Sequence, residues 1–358
     1  MSRARDLADL AGSASAGGIT GRNMIINGGM TIAQRGTSFS SVANGAYTLD
    51  RFRWFDTGAG VADISQSTDT PNGNFYNSLK IDVTTADSSL AASDLYNIIY
   101  QIEGYDIAHL GWGTSDAKTV TLSFHIKSPK TGTHSVVLRN SNQSRTRVEE
   151  FTVSAADTWE KKTITIPGDT SGTWQATTSA GIQLIFPLAA GSTFHAASTV
   201  GSWGTDSNNS GNIYASSNQV NCMDNTSNNW YITGIQLEAG QTATPFEHED
   251  VNTTLKKCQR YYHNGFGDGD SHNYAEKGPA STQVWWRLFH GTMRIEPTAT
   301  VFAGTNQTDS GKALPAGGTA EAMTNVTHGN TNYTHLLRTA SASGTNYSIQ
   351  SAQLDAEF

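Results

Sequence analysis

Ten histidines, 31 acidic residues and two cysteines are the groups in this 358-residue chain that could act as bases, nucleophiles or metal ligands. Their spacing organises none of that chemistry. No HExxH, no HxH and no histidine pair at i, i+4 occurs, so no two imidazoles share a helix face as a zinc enzyme requires. Cys222 and Cys258 form no CxxC and lie 36 positions apart (258 minus 222), which points to two reduced thiols rather than a zinc site or a disulfide framework. No register isolates two carboxylates as the acid and base of a glycosidase, and GxSxG and GxxxxGK[ST] are both absent. Gly265-x-Gly267-x-Gly269 follows a helical pattern, without the strand-turn-helix setting of a nucleotide site. Asp268-Gly-Asp270 is half of a calcium loop without its distal Glu. Glu247-His248-Glu249-Asp250 stands before a helix, where acidic groups complement the dipole. The expectation is a chain that is not an enzyme and carries no metal or cofactor.

What remains is recognition through aromatic rings. A Trp or Tyr face packs on the C–H face of a sugar while neighbouring Asn or Asp groups satisfy its hydroxyls. Trp112 sits among Gly111, Gly113 and Thr114, and Trp203 lies between Ser202 and Gly204. Both are in turn-like settings where an indole can protrude, and each could equally plug one end of a β-sandwich. Trp285 and Trp286 are adjacent on one strand, so one ring points in and the other out unless both are buried at a subunit contact. Trp112, Trp203 and Trp286 are the candidate glycan-binding residues.

The elements that must position them are strands. Apolar residues make up 37% and charged residues 15%, with 35 glycines, a balance that argues against both a disordered chain and a Glu/Lys-rich helical one. Ser, Thr, Asn and Gly fill the difference and favour strands joined by tight turns. The net charge is −8, with 23 scattered Lys and Arg and no basic stripe to neutralise a phosphate backbone, so nucleic acid is excluded as a partner. No apolar run is long enough for membrane insertion, and the N-terminus lacks the apolar stretch of a secretory signal.

Residues 119–127 (TVTLSFHIK) alternate strictly, as do Ile164 and Ile166, and Ile182, Leu184 and Phe186. Tyr231, Thr233, Ile235 and Leu237 alternate in the same way, but Ile232 and Ile235 are out of phase. A bulge at Gly234 would put Ile232, Ile235 and Leu237 in the core. Pro245 is expected to end that strand, with Glu238 and Glu247 keeping its outer face polar. Asp50 and Arg51 read as an ion pair on the rim. Short strands with no helix between them indicate an all-β chain whose main part is an antiparallel sandwich or jelly roll. The one helical pattern is HEDVNTTLKKCQRYY, residues 248–262, with Val251, Leu255, Cys258 and Tyr262 on one stripe. Strands resume at 283–289, 298–302 and 347–354. The expected organisation is a tail (1–22), a jelly roll (23–247), a linker helix (248–263) and a smaller C-terminal β-domain (264–358).

Two runs carry a resemblance. Asn23-Met-Ile-Ile-Asn27-Gly-Gly-Met30, Gln34-Arg35-Gly36 and Tyr47-Thr-Leu-Asp50-Arg51-Phe52 resemble the opening of a group of bacteriophage and prophage tail-fibre proteins. Trp230-Tyr-Ile-Thr-Gly-Ile-Gln-Leu-Glu-Ala-Gly240, Ala243-Thr-Pro245-Phe246-Glu247 and Cys258-Gln-Arg-Tyr-Tyr262 are similar to the run that closes their first domain and begins their second. Beyond residue 263 the likeness loosens: Met293-Arg294 and Pro297-Thr298 follow the pattern, but Phe289-His290-Gly291 stands where Phe-Pro is usual. The resemblance implies a jelly roll akin to carbohydrate-binding modules, a homotrimeric virion appendage and, in some members, recognition of host-surface polysaccharide. It implies no fixed catalytic set.

A single amphipathic helix without a helical partner fits such an assembly. Three copies about a threefold axis would bury Val251, Leu255, Cys258 and Tyr262 as a seam; the alternative is a helix lying across its own sandwich. Leu7 and Leu10 in the N-terminal tail would dock other virion proteins. The expected location is the virion, assembled in the host cytoplasm; the competing reading is a capsid-bound head fibre, decoration protein or tail adaptor with a purely structural role.

Overall fold

A computed structural model describes residues 21–71, 73–205, 213–264, 292–302 and 351–358, together with short strands at 275–277, 283–289, 312–315, 321–322, 325–326, 333–339 and 347–348. The chain divides into two compact units, Met1–Val251 with Phe358, and Asn252–Glu357. The expected docking residues Leu7 and Leu10, and the Gly265–Asp270 loop, lie outside the described residues.

The first unit is a sandwich of two antiparallel sheets. The six-stranded sheet has the order β1 (Ser38–Phe39), β3 (Val61–Ser67), β4 (Ser78–Thr85), β11 (Asn229–Ala239), β6 (Val120–Lys127), β9 (Glu160–Ile166). The five-stranded sheet has the order β2 (Phe52–Asp56), β5 (Leu95–Glu103), β10 (Ala180–Ala190), β7 (Gly132–Asn140), β8 (Thr146–Val153). Alternation builds the core between them: Val120, Leu122, Phe124 and Ile126 from one sheet meet Ile182, Leu184 and Phe186 from the other in a single apolar cluster. A short helix, α1 (Gly104–Ile107), follows β5.

The two motif runs, some 200 positions apart in sequence, meet in space. Asn23 donates its side-chain amide to the Ile235 carbonyl (3.1 Å) and accepts from the Leu237 amide (3.1 Å), and Ile235 N donates to Gly28 O (3.0 Å). Asn27, in the left-handed region at φ 61, donates to the carbonyls of Ile32 and Asp50. Asp50 and Arg51 are each 1% exposed, so both belong to the core and not, as expected, to the rim. Asp50 accepts from Gln34 N and Nε2, while Arg51 donates to Gln101 O. Burial raises the Asp50 carboxyl above its ordinary value, and the Gln34 hydrogen bonds oppose that.

The register of β11 slips between Thr233 and Gln236, and Gly234 has φ 62, so the expected bulge is present. Ile232, Ile235 and Leu237 are fully buried, whereas Tyr231 is only half-buried. Two expectations fail here. The strand ends at Ala239, before Gly240 (φ 127), well ahead of Pro245. Glu238 is 3% exposed rather than facing solvent, because Thr244 N and Oγ1 both hydrogen-bond to its carboxylate (2.8 Å each).

Helix α2 covers Val251–Gln259, all but its first residue in the second unit, and is shorter than the sequence pattern suggests. Tyr262 belongs to β12 (Tyr262–Asn264), which pairs with β21 (Ser351–Asp355), and β21 pairs in turn with β15 (Thr298–Phe302). Cys258, Tyr261, Met293, Val301 and Leu354 are at most 1% exposed, and Arg294 donates to the carbonyls of Ala356 (2.8 Å) and Glu357 (2.7 Å). Of the expected seam, Cys258 (0%) and Tyr262 (4%) are covered within one chain, Leu255 is half-buried and Val251 is 52% exposed. The continuous stripe is therefore absent, because the chain leaves the helix before Tyr262 and buries that ring in a sheet.

Two stability measurements test this account. A Cβ on Gly28 would lie 2.1 Å from Ile235 O, so Gly28→Ala should lower unfolding stability by at least about 2 kcal/mol in urea titration. His125 is held at about 4, below its usual 6.5, first by burial and then by Lys161. The unfolded chain takes up that proton first, so wild-type stability should fall from pH 6.5 towards 4. His125→Gln should flatten that slope, and parallel curves for the two proteins would refute the assignment.

Candidate functional site

The sequence candidates come first. Trp112 is 6% exposed and belongs to the core. It packs edge-on against Trp174 (4.7 Å) and Trp203 (5.2 Å), and those two rings lie 5.4 Å apart. The indole N–H groups are satisfied internally, that of Trp112 by Lys118 O (2.8 Å) and that of Trp203 by Pro167 O (2.6 Å). Beside them Asp169 takes a bidentate pair from Arg145, 2.7 Å to each nitrogen. This cluster plugs one end of the sandwich, and Trp112 cannot stack on a ligand. A turn flanked by glycines positions the ring inward because its N–H finds a carbonyl there. Trp286 lies on β14 (Gln283–Phe289), opposite Leu336 of β19 (Tyr333–Thr339), and its side chain lies outside the described residues.

A different place has unmet polar demand: the face of the five-stranded sheet turned away from the core. Along β5, Tyr96, Ile98, Tyr100 and Ile102 enter the main core, while Leu95 and Ile99 join a second apolar cluster on the opposite face. That second cluster is an apolar row, Ile99–Ile185–Val137–Val148, aligned across four strands. Ile213, Tyr214 and Ala215 complete it, from a segment that crosses the sheet. The crossing is pinned where Ser216 N donates to Ser135 Oγ (3.1 Å) and Ser135 N to Gln219 Oε1 (2.7 Å). Tyr214 stacks parallel to Phe55 (6.1 Å) and meets Phe194 edge-on (5.5 Å).

Beside the apolar row runs a polar one. Gln101 on β5 faces Gln183 on β10, Gln183 faces Arg139 on β7, and Arg139 faces Thr146 on β8. Three strand intervals make this row about 14 Å long. Gln101 and Gln183 are half-buried, whereas Arg139 is 2% and Thr146 1% exposed, so the row is open at one end and closed at the other. Arg139 Nε donates to Gln183 Oε1 (2.7 Å), Nη2 donates to the Tyr214 hydroxyl (3.1 Å), and the guanidinium lies 4.4 Å from the Tyr214 ring centre. Nη1 of Arg139, Oγ1 of Thr146 and both polar atoms of Asn97, which faces Phe55 and Pro187, are buried without a hydrogen-bond partner. Burial lowers the Arg139 pKa from its ordinary value, with Tyr214 opposing. Buried polar atoms are nearly always paired, so several orphans on one sheet face mark a place where an outside group completes the bonding.

The other sheet offers a contrasting surface. Trp159 and Tyr231 meet edge-on at 6.1 Å, Asp69 binds both Lys127 Nζ (2.6 Å) and Trp159 Nε1 (2.9 Å), and Lys127 lies over the Tyr231 ring. The Lys127 hydrogen bond holds the Asp69 carboxyl below its usual range. These groups satisfy one another. Among the described residues no group of three or more His, Cys, Asp or Glu could hold a metal ion. Both thiols are free and buried, and burial pushes that of Cys222 up to about 12.

Sequence reading missed Arg139, Gln183 and Tyr214. The available signal was β7 itself: Val136, Val137 and Leu138 in succession are apolar on both faces, which marks a strand covered on both sides.

No family model and no curated protein matches the chain. Among solved structures it is similar to the enzymatically active domain of bacteriophage CBA120 tailspike protein 4, at 11% identity and TM-score 0.31, covering 56% of this chain and 21% of that one. It is also similar to a CBM4 structure, at 11% identity and TM-score 0.28 over 53% and 95% of the two chains. The family 11 carbohydrate-binding module of the Clostridium thermocellum cellulase Lic26A-Cel5E gives 16% identity and TM-score 0.27 over 58% and 100%. A likeness at this level fixes neither ligand nor activity.

If the Trp112 cluster is an internal plug, Trp112→Ala should lower stability by about 3–5 kcal/mol in chemical denaturation. A variant as stable as wild type would restore the exposed-platform reading.

Proposed function

We propose that the chain is a non-catalytic, saccharide-binding virion appendage of the tail-fibre type, acting as a homotrimer, with residues 1–22 held by other virion proteins. The observation that carries the binding role is the row of Gln101, Gln183, Arg139 and Thr146 beside the half-buried rings of Phe55 and Phe194, both packed on the buried Tyr214. Amide and guanidinium groups at strand spacing match the hydroxyls of a short oligosaccharide, and the rings match its C–H faces. The sheet holds these donors in place without a ligand, so little ordering entropy opposes binding. Multivalency explains why a modest site is sufficient, since three sites on one particle gain avidity through effective concentration. The trimer and the virion location rest on the motif resemblance, because the helix seam does not survive as a continuous stripe.

Glycan arrays and solution mass test the reading together. Gln183→Ala should weaken saccharide binding roughly tenfold, whereas Trp159→Ala on the opposite sheet should leave it unchanged. Loss through Trp159 alone would move the site to the other face. Sedimentation should give a mass of three chains, and a monomer at micromolar concentration would overturn the appendage.

A further inference from the structure

We infer that this site, if it binds saccharide as proposed above, selects acidic saccharides, with Arg139 receiving the sugar carboxylate. Arg139 lacks an anionic partner. Its partners are neutral: the Gln183 amide oxygen, the Tyr214 hydroxyl and the Tyr214 ring. A cation that is 2% exposed with no anion beside it is strongly disfavoured, since the attraction that would offset its lost hydration is absent.

The same hairpin shows how the chain treats arginines that serve structure. Arg145, just beyond β7, closes on Asp169 through two nitrogens, and Arg147 on β8 reaches Glu149 (2.5 Å). Arg139 alone of the three is left without a carboxylate, and it is the most deeply buried of them. Its orphaned Nη1 is matched by a second orphan on its direct cross-strand neighbour, the Thr146 hydroxyl. Together they offer donors from two adjacent strands, a set that suits a planar carboxylate better than a neutral hydroxyl. The arrangement sets a ligand's orientation. Neutral hydroxyls lie along Gln101 and Gln183 at the open end, and the carboxylate points inward to the guanidinium beside Tyr214.

The test is an array of uronate- and sialate-bearing oligosaccharides, each beside its carboxyl-reduced form, read with wild type, Arg139→Met and Arg139→Lys. Wild type should favour at least one acidic form over its reduced counterpart by about tenfold or more. Arg139→Met should erase that preference, so that acidic and reduced forms bind alike and neither more tightly than wild type binds the acidic form, and its melting temperature should equal or exceed that of wild type, because an unpaired buried charge has been replaced by an apolar group of similar length. Arg139→Lys, which keeps the charge without the planar fork, should retain part of the preference and covers the case in which the Met variant fails to fold. Equal binding of acidic and reduced forms by wild type would overturn the carboxylate assignment and leave saccharide binding standing. A destabilised Arg139→Met with its preference intact would make Arg139 structural. Binding of neither form would overturn both readings.

Discussion

Closure of the sandwich depends on one backbone contact, the approach of residues 23–28 to the bulged strand β11. Gly28 lies so close to Ile235 that a methyl group does not fit, and Asn23 bridges the carbonyl of Ile235 and the amide of Leu237. The consequences spread from there. Asn27 adopts a left-handed conformation to reach the Asp50 carbonyl, and Asp50 in turn fixes Gln34. Glu247 accepts from Asn23 N and donates its own amide to Gln236. A chain of neutral and charged hydrogen bonds thus ties three sequence regions into one corner. The motif residues that resemble tail-fibre proteins are mainly this corner, which explains why they say more about fold than about ligand.

The remainder of the sandwich divides its polar groups into two kinds. On the six-stranded sheet and at the tryptophan plug, Asp69, Lys127, Asp169 and Arg145 bind one another. On the outer face of the five-stranded sheet, Arg139, Thr146 and Asn97 keep unpaired atoms despite burial. Folding normally removes such orphans, because each costs about 1–3 kcal/mol. Other buried atoms without a partner lie elsewhere, among them Trp54 Nε1, His125 Nδ1 and Trp230 Nε1, but the four on this face sit beside a wall of three rings, a local sacrifice of stability where recognition can use it.

Much of the architecture was legible in the sequence. Strict alternation found β6, and Val120, Leu122, Phe124 and Ile126 are indeed fully buried. The phase break at Ile232 and Ile235 found the bulge, because only an extra residue returns both side chains to the same face. The helix was over-extended, since a 3.6-residue period carried through Tyr262 cannot register that Tyr261-Tyr262-His263 suits a strand and finds a partner in β21. The candidate site was hardly legible at all. Glycine neighbours left open whether Trp112 protrudes or plugs the sandwich, because local chain shape does not reveal which carbonyl waits for an indole. Arg139 carried no signal of its own, because its burial is imposed by Tyr214, 75 positions away.

The corner at Gly28 also bears on how the protein is made. The side chain of Asn23 meets Ile235, 212 residues later, so the first part of the sandwich to leave the ribosome must wait for nearly the last. At ordinary translation speeds that interval is roughly 10–40 s. Throughout it, the edges of β4 and β6 that flank β11 are open, which is the condition under which nascent β-chains pair with the wrong neighbour. Productive synthesis in a crowded cell therefore calls for a holding chaperone or low local chain density until β11 slots between them.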